Sequence, residues 1–536
     1  MDKKTVLKEY FPEIDTFRGY QEEAINSLLS GNKVLCLMPT GEGKSLIYQV
    51  SGLCLEKTVV IISPLVALMR QQSNYLEKKG FSCLFMSGLD YKQQFKALNN
   101  IANGLVPSFI FISPERATND GHLEFVLNLI KDKVGIIVVD EAHCISQWGD
   151  GFRPAYKRIP DFINRVFGIN SWPPILCLTA TLNIDEQKQV ELDFGITETF
   201  KSTNLWRSNL NLKLINIGSG KDDKKDDALN HLLEEHKGEK ILVFVHRKYG
   251  NKGTTRVLYD TYSTKYKGCA FFDADIPDSE KDRILDDFKD GNLKIVFATS
   301  AFGMGVDIPD IRVVVHYLIP ESVEQYYQEV GRAGRDNKPA FGYLLYTKQS
   351  RNGRKRLIES SLCSEKLIKS EYEDRAIKNN DFGSINYYEG LTEERKLAFS
   401  LLAEFGVIDI MAKGVQNINC FKACGDQGEL FLKSALNTSK TGLTKIISKK
   451  QNKYISSLST EIWKLCCDEE LKLVSAPSKA LFYKINNPLN DQAIKIISDD
   501  QREKKEKRMI AFDYFADAIE SGKSVEKLVK DVLNIP

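Results

Sequence analysis

A glycine-rich turn between an apolar run and a predicted helix constrains this chain more than any other feature. The apolar run is Val34–Leu37, and the turn extends from Met38 to Ser45 before the helix at Leu46–Val50. Backbone N–H groups that point into such a turn, together with the positive end of the helix dipole, form a cradle for a phosphate group. The order strand, turn and helix therefore predicts nucleotide binding at the start of an α/β domain.

The turn has the short form Pro-Thr-Gly-x-Gly-Lys-Ser over residues 39–45. Gly41 and Gly43 let the backbone fold tightly enough for its N–H groups to point inward. The ammonium of Lys44 is placed to reach the outer phosphates, and the Ser45 hydroxyl is a suitable ligand for Mg²⁺. An ordinary glycine-rich turn is the alternative, and the features that follow argue against it.

A second apolar run, Val134–Val139, ends in the two acidic residues Asp140 and Glu141. Asp140 is positioned to hold Mg²⁺ through water, and Glu141 to orient or deprotonate an attacking water. Two adjacent carboxylates at the end of a buried strand are poor structural residues, because burying both without a cation is costly. The pair therefore predicts a site that hydrolyses a nucleoside triphosphate.

Further apolar runs alternate with helical stretches along the first 350 residues. Besides the two runs already named, we expect strands at 58–62, 109–112, 175–178, 241–245, 294–298 and 312–316. Strands that alternate with helices predict parallel sheets covered on both faces. The runs fall into two sets, and we place the boundary between two α/β lobes near residues 205–212, just before the charged segment 218–227.

The second lobe has no phosphate turn and instead carries arginines next to glycines. The stretch Gln328–Arg335 projects two guanidinium groups, those of Arg332 and Arg335, from one tight turn. An arginine aimed across a cleft at a γ-phosphate stabilises the charge that develops in phosphoryl transfer. The alternative interpretation is a solvated basic end of a helix.

Length and composition set the remaining bounds. A chain of 536 residues is too long for one core, so we expect three or four domains. The 74 basic and 72 acidic residues nearly cancel, so any contact with nucleic acid must come from local patches. There is no apolar run long enough to span a membrane, no apolar leader follows Met1, and the cysteines are scattered. We therefore expect an intracellular protein with reduced thiols and no membrane contact, cytoplasmic if bacterial and nuclear if eukaryotic.

The ordered motifs within residues 10–350 resemble those of superfamily 2 helicases, and specifically those of the RecQ family. In chain order, the matching stretches are Phe17–Gln21, Met38–Ser45, Ser63–Leu65, Ser113–Glu115, Asp140–His143, Thr179–Thr181, Ala298–Asp307 and Tyr326–Asp336. The most family-specific stretch is Cys144–Tyr156, which is similar to the aromatic-rich loop that follows the DEAH box in RecQ proteins. Several motifs in the right order are far more specific than any one of them.

The resemblance implies ATP and Mg²⁺ as cofactors, DNA as a partner, and a role for each motif residue. The implied nucleotide-binding residues are Arg18, Gln21, Thr40, Gly41, Gly43, Lys44, Ser45, Gly305, Asp307 and Gln328. The implied catalytic residues are Lys44, Asp140, Glu141, His143, Arg332 and Arg335, and the implied Mg²⁺ ligands are Ser45 and Asp140. The implied DNA contacts are Ser63, Pro64, Ser113, Trp148, Phe152 and Arg153.

Two of these roles have a simple chemical basis. The Gln21 amide offers one donor and one acceptor, which suits the edge of adenine. Trp148 and Phe152 would stack on the bases of single-stranded DNA without regard to sequence, and Arg153 would relay the contact to the ATP site. Core packing is the alternative for both aromatic residues, and the polar setting of the loop argues against it.

The sequence departs from the family pattern in three places. Positions 150 and 151 are Asp and Gly, where the family loop has His and Asp, and Asp273–Ile276 stands where the family has His-Ala-Gly-Leu. After residue 350 the cysteines do not form the Cys-x-x-Cys runs of the family's zinc subdomain, so we do not expect zinc. The first two changes remove groups near the DNA path that serve coupling. The altered loop and the lost zinc pattern favour a motor that moves along DNA without separating the strands.

Residues 351–536 carry weaker signals. The basic run Arg351–Arg356 is either a solvated helix face or a phosphate contact. A helical stripe followed by the apolar runs Leu471–Val474 and Leu481–Ile485 predicts a β-hairpin, and hence a winged helix at about 391–486. A terminal helix with an apolar stripe either docks back on the protein or binds a protein partner. The stripe consists of Ile510, Phe512, Phe515 and Ile519.

We therefore predict an α/β protein with two RecA-like lobes, residues 1–207 and 208–350, followed by a mainly helical region at 351–536. The predicted function is ATP-driven unwinding of DNA, with the 3′-to-5′ polarity taken from the resemblance. The first alternative is a DNA-stimulated ATPase that acts as a translocase or remodeller in a larger complex. An RNA helicase is a further alternative, because tracking of the phosphate backbone does not distinguish the sugar. A non-catalytic DNA-binding scaffold is disfavoured, because the ATP-site residues are intact.

Overall fold

The structure is a computed structural model, in which helices and strands are numbered below in chain order. It describes residues 1–39, 41–64, 66–88, 91–119, 122–145, 154–180, 182, 184–202, 206–218, 222–247, 250, 252–273, 275–302, 308–375, 383–385, 391–415, 421–436, 462, 464–474 and 479–533.

Seven parallel strands form the first sheet. They are β1 (Val34–Leu37), β2 (Thr58–Ile62), β3 (Cys83–Phe85), β4 (Phe109–Ile112), β5 (Val134–Val139), β6 (Ile175–Thr179) and β7 (Glu198–Lys201). Their spatial order is β3-β4-β2-β5-β6-β1-β7. Along β2, Val59 and Ile61 pack into one apolar cluster, and Val60 and Ile62 pack into another on the opposite face. Both faces of the sheet are therefore buried, as in a doubly covered parallel sheet.

Six parallel strands form the second sheet. They are β8 (Leu210–Asn216), β9 (Lys240–Phe244), β10 (Cys269–Phe272), β11 (Ile295–Ala298), β12 (Ile311–His316) and β13 (Ala340–Tyr346), in the order β10-β11-β9-β12-β13-β8. The chain therefore passes from the first sheet to the second between Lys201 and Leu210. The prediction of two parallel-sheet lobes is confirmed.

Helices cover the sheets of both lobes. In the first lobe they are α1 (Lys3–Tyr10), α2 (Gln21–Leu29), α3 (Lys44–Leu55), α4 (Val66–Lys78), α5 (Tyr91–Ala102), α6 (Pro114–Asn119), α7 (His122–Leu129), α8 (Pro154–Lys157), α9 (Ile159–Phe167) and α10 (Ile184–Phe194). In the second lobe they are α11 (Asp222–Glu235), α12 (Thr255–Tyr262), α13 (Asp278–Asp290), α14 (Val323–Val330) and α15 (Lys348–Glu359). Short 3₁₀ turns lie at Met86–Gly88, Lys131–Lys133, Ala142–Ile145 and Ser300–Phe302.

The described part of the C-terminal region contains two small antiparallel sheets. Its helices are α16 (Glu365–Arg375), α17 (Glu393–Glu404), α18 (Asp426–Leu436), α19 (Asp491–Glu520) and α20 (Val525–Leu533). Its strands are β14 (Gly383–Ile385), β15 (Ile408–Val415), β16 (Phe421–Ala423), β17 (Leu471–Leu473) and β18 (Lys479–Ile485). One sheet has the order β14-β18-β15, and the other pairs β16 with β17.

The predicted hairpin of residues 471–485 is wrong. Its two strands exist, but β17 pairs with β16, whereas β18 pairs with β14 and β15. Apolar alternation identifies a strand without identifying its partner, which is chosen by contacts between residues far apart in sequence. The winged helix that was inferred from the hairpin stays a prediction.

The two terminal helices dock on the second lobe. Phe512, Phe515 and Ile519 of α19 are fully buried in the core of that lobe, together with Leu528 and Val529 of α20. Of the four residues in the predicted apolar stripe, Ile510 is 70% exposed. Docking, the first of the two alternatives for this helix, is therefore confirmed for the other three side chains.

The basic run at 351–356 is divided between buried and exposed side chains. Arg351 forms ion pairs with three acidic residues of α19, and Arg354 is only 2% exposed. The three acidic partners are Asp513, Asp517 and Glu520. The two interpretations are therefore wrong for Arg351 and Arg354, whereas Arg356 is exposed, as a solvated face predicts. The counter-charges of Arg351 lie about 160 residues further along the chain and became its neighbours only through the docking of α19.

The C-terminal region also contacts the first lobe. Glu404 of α17 binds Lys157 of α8, and its Oε1 atom lies 3.3 Å from the Nζ atom of Lys504 on α19. One carboxylate thus joins the first lobe to the long helix that docks on the second. Among the described helices, none combines the length and the apolarity that a membrane crossing requires.

Candidate nucleotide site between the two lobes

The phosphate turn has the backbone that its glycines predicted. Gly41 and Gly43 have φ angles of 92° and 74°, in the left-handed region that side chains other than glycine rarely adopt. Gly43 is the N-cap of α3, so the free N–H groups of this helix face the turn. The Nζ atom of Lys44 lies 3.2 Å from the Met38 carbonyl oxygen, on the inner side of the turn. These features make a cradle of the kind that binds phosphate.

Gln21 is tied to this turn. Its amide Nε2 donates to the carbonyl oxygens of Glu42 and Gly43 over 2.7 and 3.0 Å, and its Oε1 accepts from the backbone N–H of Arg18 over 2.9 Å. The Gln21 side chain is 2% exposed, whereas Arg18 is exposed. The Gln21 amide therefore holds the shape of the phosphate turn, and its expected contact with an adenine edge stays a prediction.

The two acidic residues lie directly beyond β5. Asp140 accepts a hydrogen bond of 3.0 Å from the Ser63 hydroxyl, and its carbonyl oxygen accepts one of 2.7 Å from the Tyr156 hydroxyl. Glu141 has a positive φ of 50°, which is unusual for a residue with a long side chain and costs of order 1–3 kcal/mol. Backbone strain of this kind persists only where the surroundings hold the residue in place.

Burial and charge act differently on the two carboxylates. Burial and the negative charge of Glu141 raise the pKa of Asp140. Burial also acts to raise the pKa of Glu141, but the neighbouring His143 and the positive charge of Lys44 hold that pKa below its usual value. Such a pair favours one proton or a bound cation, which is the property expected of a Mg²⁺ site.

His143 joins three motifs. Its Nδ1 lies 3.0 Å from the Thr179 hydroxyl and 3.3 Å from Glu141 Oε2, and its Nε2 lies 3.4 Å from the Gln328 amide nitrogen. A proton on Nδ1 satisfies the contacts with Thr179 and Gln328, because Nδ1 can then donate to the hydroxyl and Nε2 can accept from the amide. Burial lowers the pKa of His143, which favours this neutral form. Gln328 belongs to α14, so the contact crosses from one lobe to the other.

The two arginines of the second lobe face the acidic residues of the first. The positive charges of Arg332 and Arg335 both act to lower the pKa of Glu141. Arg332 is 6% exposed, and its Nε atom has no hydrogen-bond partner among the described residues. A second contact between the lobes joins Arg70 to Asp282 over 2.8 Å. The interpretation of the basic stretch as a solvated helix end is wrong for Arg332.

These groups fit ATP and Mg²⁺. The turn supplies inward backbone N–H groups and an ammonium, Asp140 supplies a carboxylate for the metal, and the unsatisfied Arg332 nitrogen is a donor for an anionic oxygen. Thr40, Gly305 and Asp307 lie outside the described residues, so their predicted part in this site stays a prediction.

The comparisons with known proteins agree with this geometry. Residues 18–190 match the DEAD/DEAH box helicase family, and residues 224–337 match the helicase conserved C-terminal domain. The ATP-dependent DNA helicase RecQ of Bacillus subtilis is 33% identical over 68% of this chain and 59% of its own length. The ATP-dependent DNA helicase hus2/rqh1 of Schizosaccharomyces pombe is 34% identical over 78% of this chain and 30% of its own.

The chain belongs to the RecQ family. It spans less than two thirds of the length of these RecQ relatives. Among solved structures, the DEAD-box helicase Mss116 bound to ssRNA and UDP-BeF is 18% identical, with a TM-score of 0.55 over 70% of this chain and 78% of that one. That likeness concerns the two-lobed fold alone.

Three of the residues expected to contact DNA lie in the described part of this RecQ-family chain, and all three are buried. Ser63 is 1% exposed and its hydroxyl serves Asp140, while Ser113 is 8% exposed and its N–H donates to the Ser87 hydroxyl over 2.8 Å. Pro64 is buried. Trp148, Phe152 and Arg153 lie outside the described residues. The sequence analysis thus missed the direct bond between Ser63 and the acidic pair.

The divergent stretch Asp273–Ile276 of this RecQ-family chain begins with a residue that serves the local backbone. Asp273 is 7% exposed, accepts from the N–H of Asp275 over 2.9 Å and lies 3.4 Å from the Thr255 hydroxyl.

Sequence reasoning also missed three buried side chains of the second lobe that contact one another. They are His246, His316 and Glu329. Glu329 stands between Gln328 and Arg332 in a recognised motif, and that position was the available signal.

Proposed function

We propose that this protein is an ATP-dependent DNA helicase that unwinds duplex DNA with 3′-to-5′ polarity. In this proposal residues 1–207 and 208–350 are the two motor lobes, and residues 351–536 are an accessory region. The chain is expected to work as an ATP hydrolase with Mg²⁺ and with single-stranded or tailed DNA as partner.

The observation that carries the proposal is the meeting of the two lobes at His143 and Gln328, which lie 3.4 Å apart. On the first lobe His143 touches Glu141 and Thr179, so a movement of the second lobe bears directly on the hydrolytic carboxylate. A site divided between two lobes lets nucleotide binding and hydrolysis change the distance between them.

The mechanism assigns a task to each group. The phosphate turn and Lys44 bind and orient the phosphates, and Asp140 with Ser45 would hold Mg²⁺, which supplies charge neutralisation at the phosphoryl oxygens. Glu141 orients the attacking water by accepting a hydrogen bond from it, because its lowered pKa keeps the carboxylate ionised. Arg335, supported by Arg332, stabilises the negative charge that grows on the transferred group.

Tyr156 supports a link between this site and DNA. It is the last residue of the stretch that resembles the aromatic-rich loop, and its hydroxyl donates to the Asp140 carbonyl oxygen. A strand that stacks on Trp148 and Phe152 would shift the loop, and Tyr156 would pass that shift to the Mg²⁺ carboxylate. DNA is therefore expected to stimulate hydrolysis.

The test is to measure ATP hydrolysis and strand separation side by side. Substrates are duplexes with a 3′ or a 5′ single-stranded tail, with RNA of the same sequence as a comparison. We expect DNA-stimulated hydrolysis and separation of the 3′-tailed duplex only, and loss of both in Lys44→Ala and Glu141→Gln. Retention of DNA-stimulated hydrolysis by either variant would refute the proposal. Stronger stimulation by RNA than by DNA would indicate an RNA helicase instead.

A translocase that does not separate strands is the second candidate. It is favoured by the departure from the family pattern at positions 150 and 151 and by the inward-facing Asp273. In the same assay this candidate predicts DNA-stimulated hydrolysis without separation of any duplex. Displacement of a protein block from single-stranded DNA would then be the matching positive result.

A further inference from the structure

A buried group of two histidines and a glutamate lies behind the arginines of the second lobe. The Nε2 atoms of His246 and His316 lie 2.9 and 2.8 Å from the same oxygen, Oε2 of Glu329. The other carboxylate oxygen accepts from the Gln325 amide over 3.0 Å. His316 is 0% exposed, Glu329 is 3% and His246 is 6%, so none of these contacts is a surface feature.

The three residues come from three different elements. His316 ends β12, His246 follows β9, and Glu329 lies in the last turn of α14, three residues before Arg332. His246 has a positive φ of 53°, so its imidazole is held in place against the preference of its own backbone. The group thus fastens the arginine-bearing end of α14 to the carboxyl ends of two central strands.

Two interpretations of the group differ in where the ring protons lie. A carboxylate only accepts, so the hydrogen-bonded arrangement requires a proton on Nε2 of each histidine. A metal ion would require both Nε2 atoms to be free of protons, which moves the proton of His316 to Nδ1. That Nδ1 is buried without a hydrogen-bond partner among the described residues, whereas histidine ligands almost always donate their second N–H. The hydrogen-bonded arrangement is therefore favoured.

In that arrangement Glu329 is a buried anion three residues before the buried Arg332. Burial acts to raise the pKa of Glu329, but His246 and His316 hold it well below its usual value. Burial and the charge of Arg335 lower the pKa of Arg332, and the negative charge of Glu329 opposes this change. The geometric link between the two residues is the backbone, because the N–H of Arg332 donates to the Glu329 carbonyl oxygen over 3.3 Å. The side-chain contacts that fix Glu329 therefore also fix the turn that carries Arg332.

We propose that Glu329, held by His246 and His316, is a positioning residue that keeps the Arg332 guanidinium in place at the nucleotide. The inference rests on the proposed hydrolysis of ATP. It assigns no contact with substrate to the three residues. The group acts through Arg332, so its contribution disappears when Arg332 is removed.

The test is a double-mutant cycle on the full-length chain, with Glu329→Gln, Arg332→Ala and the double variant. We expect Glu329→Gln to lower kcat of DNA-stimulated hydrolysis about 10- to 100-fold with KM for ATP unchanged within about twofold. In the Arg332→Ala background the same change should cost less than about twofold. If the fold-decreases in kcat of the two single variants multiply in the double variant, the proposal is overturned. An unchanged kcat in Glu329→Gln would overturn it as well.

Glu371→Gln is the matched control, because Glu371 is 0% exposed and paired with Arg375 and Arg395 in the C-terminal region. It should lower the melting temperature without changing kcat. If Arg332→Ala is too slow to measure, His316→Leu and His316→Gln replace the cycle. Leu removes the donor, and Gln keeps an amide N–H for Glu329, so Gln should recover most of the kcat that Leu loses.

Two outcomes separate this inference from others. A wild-type chain that hydrolyses no ATP refutes the proposed function, whereas an active wild type with an equally active Glu329→Gln refutes only the positioning role. Zinc content is measured on the full chain after incubation with Zn²⁺ and gel filtration. One zinc per chain that is lost in His246→Leu would show a metal site and overturn the hydrogen-bonded arrangement.

Discussion

The amide nitrogen of Gln328 lies 3.4 Å from Nε2 of His143, and this contact joins the second lobe to the acidic pair of the first. The imidazole can accept from the amide only when it is neutral and carries its proton on Nδ1. Since Nδ1 then faces Glu141 and Thr179, the protonation state of one ring connects three motifs.

Replacing Gln328 by Ala should uncouple the lobes without removing a phosphate ligand of the turn. We expect kcat of DNA-stimulated hydrolysis to fall about tenfold, which corresponds to the loss of about 1.4 kcal/mol, while ATP still binds. Steady-state hydrolysis and equilibrium binding of a labelled nucleotide measure the two quantities. Gln189→Ala on the surface of α10 is the control, and an equal effect there would contradict this account.

Replacing Tyr156 by Phe removes only the hydroxyl that donates to the Asp140 carbonyl oxygen over 2.7 Å. We expect the stimulation by single-stranded DNA to fall more than the basal rate of hydrolysis, because the residue connects the aromatic-rich loop to the site. Leaving the carbonyl without this partner should also cost about 1–3 kcal/mol of stability.

The control for this change is Tyr262→Phe in the second lobe, whose buried hydroxyl donates to the Asp226 carbonyl oxygen over 2.9 Å. It should lower stability by a similar amount and leave the DNA stimulation ratio intact. Equal losses of basal and stimulated hydrolysis in Tyr156→Phe would show that the loop does not act through this bond.

Truncating Phe515 to Ala should destabilise the second lobe. The side chain is 0% exposed, and its ring centroid lies 5.9 Å from that of Tyr326 on α14. We expect a loss of about 3–5 kcal/mol in the free energy of unfolding, measured by urea denaturation followed by circular dichroism. Ile510→Ala, at a position that is 70% exposed on the same helix, should change it by less than about 0.5 kcal/mol. Similar losses in both variants would mean that α19 is not docked in solution.

The stability of the chain should depend on pH through His316. Burial lowers the pKa of His316 below its usual value of 6.5, although Glu329 opposes this. The unfolded chain therefore takes up a proton at this residue at a higher pH than the folded chain does. The free energy of unfolding should fall as the pH decreases through 6.5, by at most about 1.4 kcal/mol per pH unit for this group.

The comparison of wild type with His316→Gln between pH 7.5 and about 5 isolates this effect. The other histidines are common to both chains, and Glu329 begins to lose its contribution only as the pH falls below 4.5, its usual pKa. Urea denaturation at each pH should give a shallower slope for the variant. Parallel slopes would show that His316 does not resist protonation in the folded state.

Local patterns carried most of the prediction for the motor lobes. The strands predicted at 58–62, 109–112 and 134–139 have those bounds in the structure, because continuous runs of Val, Ile and Phe suit a strand buried on both faces. The strands that were missed include β7 at Glu198–Lys201, whose polar residues do not form such a run. A polar strand at the edge of a sheet has no apolar run, so only its pairing with the neighbouring strand, here β1, identifies it.

The sequence by itself determined the two-lobed α/β fold, the phosphate turn and the acidic pair, since each depends on residues close together in the chain. Only the tertiary structure decided the contacts between distant segments. It paired β17 with β16 instead of β18, set Arg351 against the acids of α19, and gathered His246, His316 and Glu329 around one oxygen atom. Hydrogen bonds and ion pairs of this kind act over a few ångströms in space. The number of residues between two side chains in the sequence does not give the distance between them once the chain has folded back on itself.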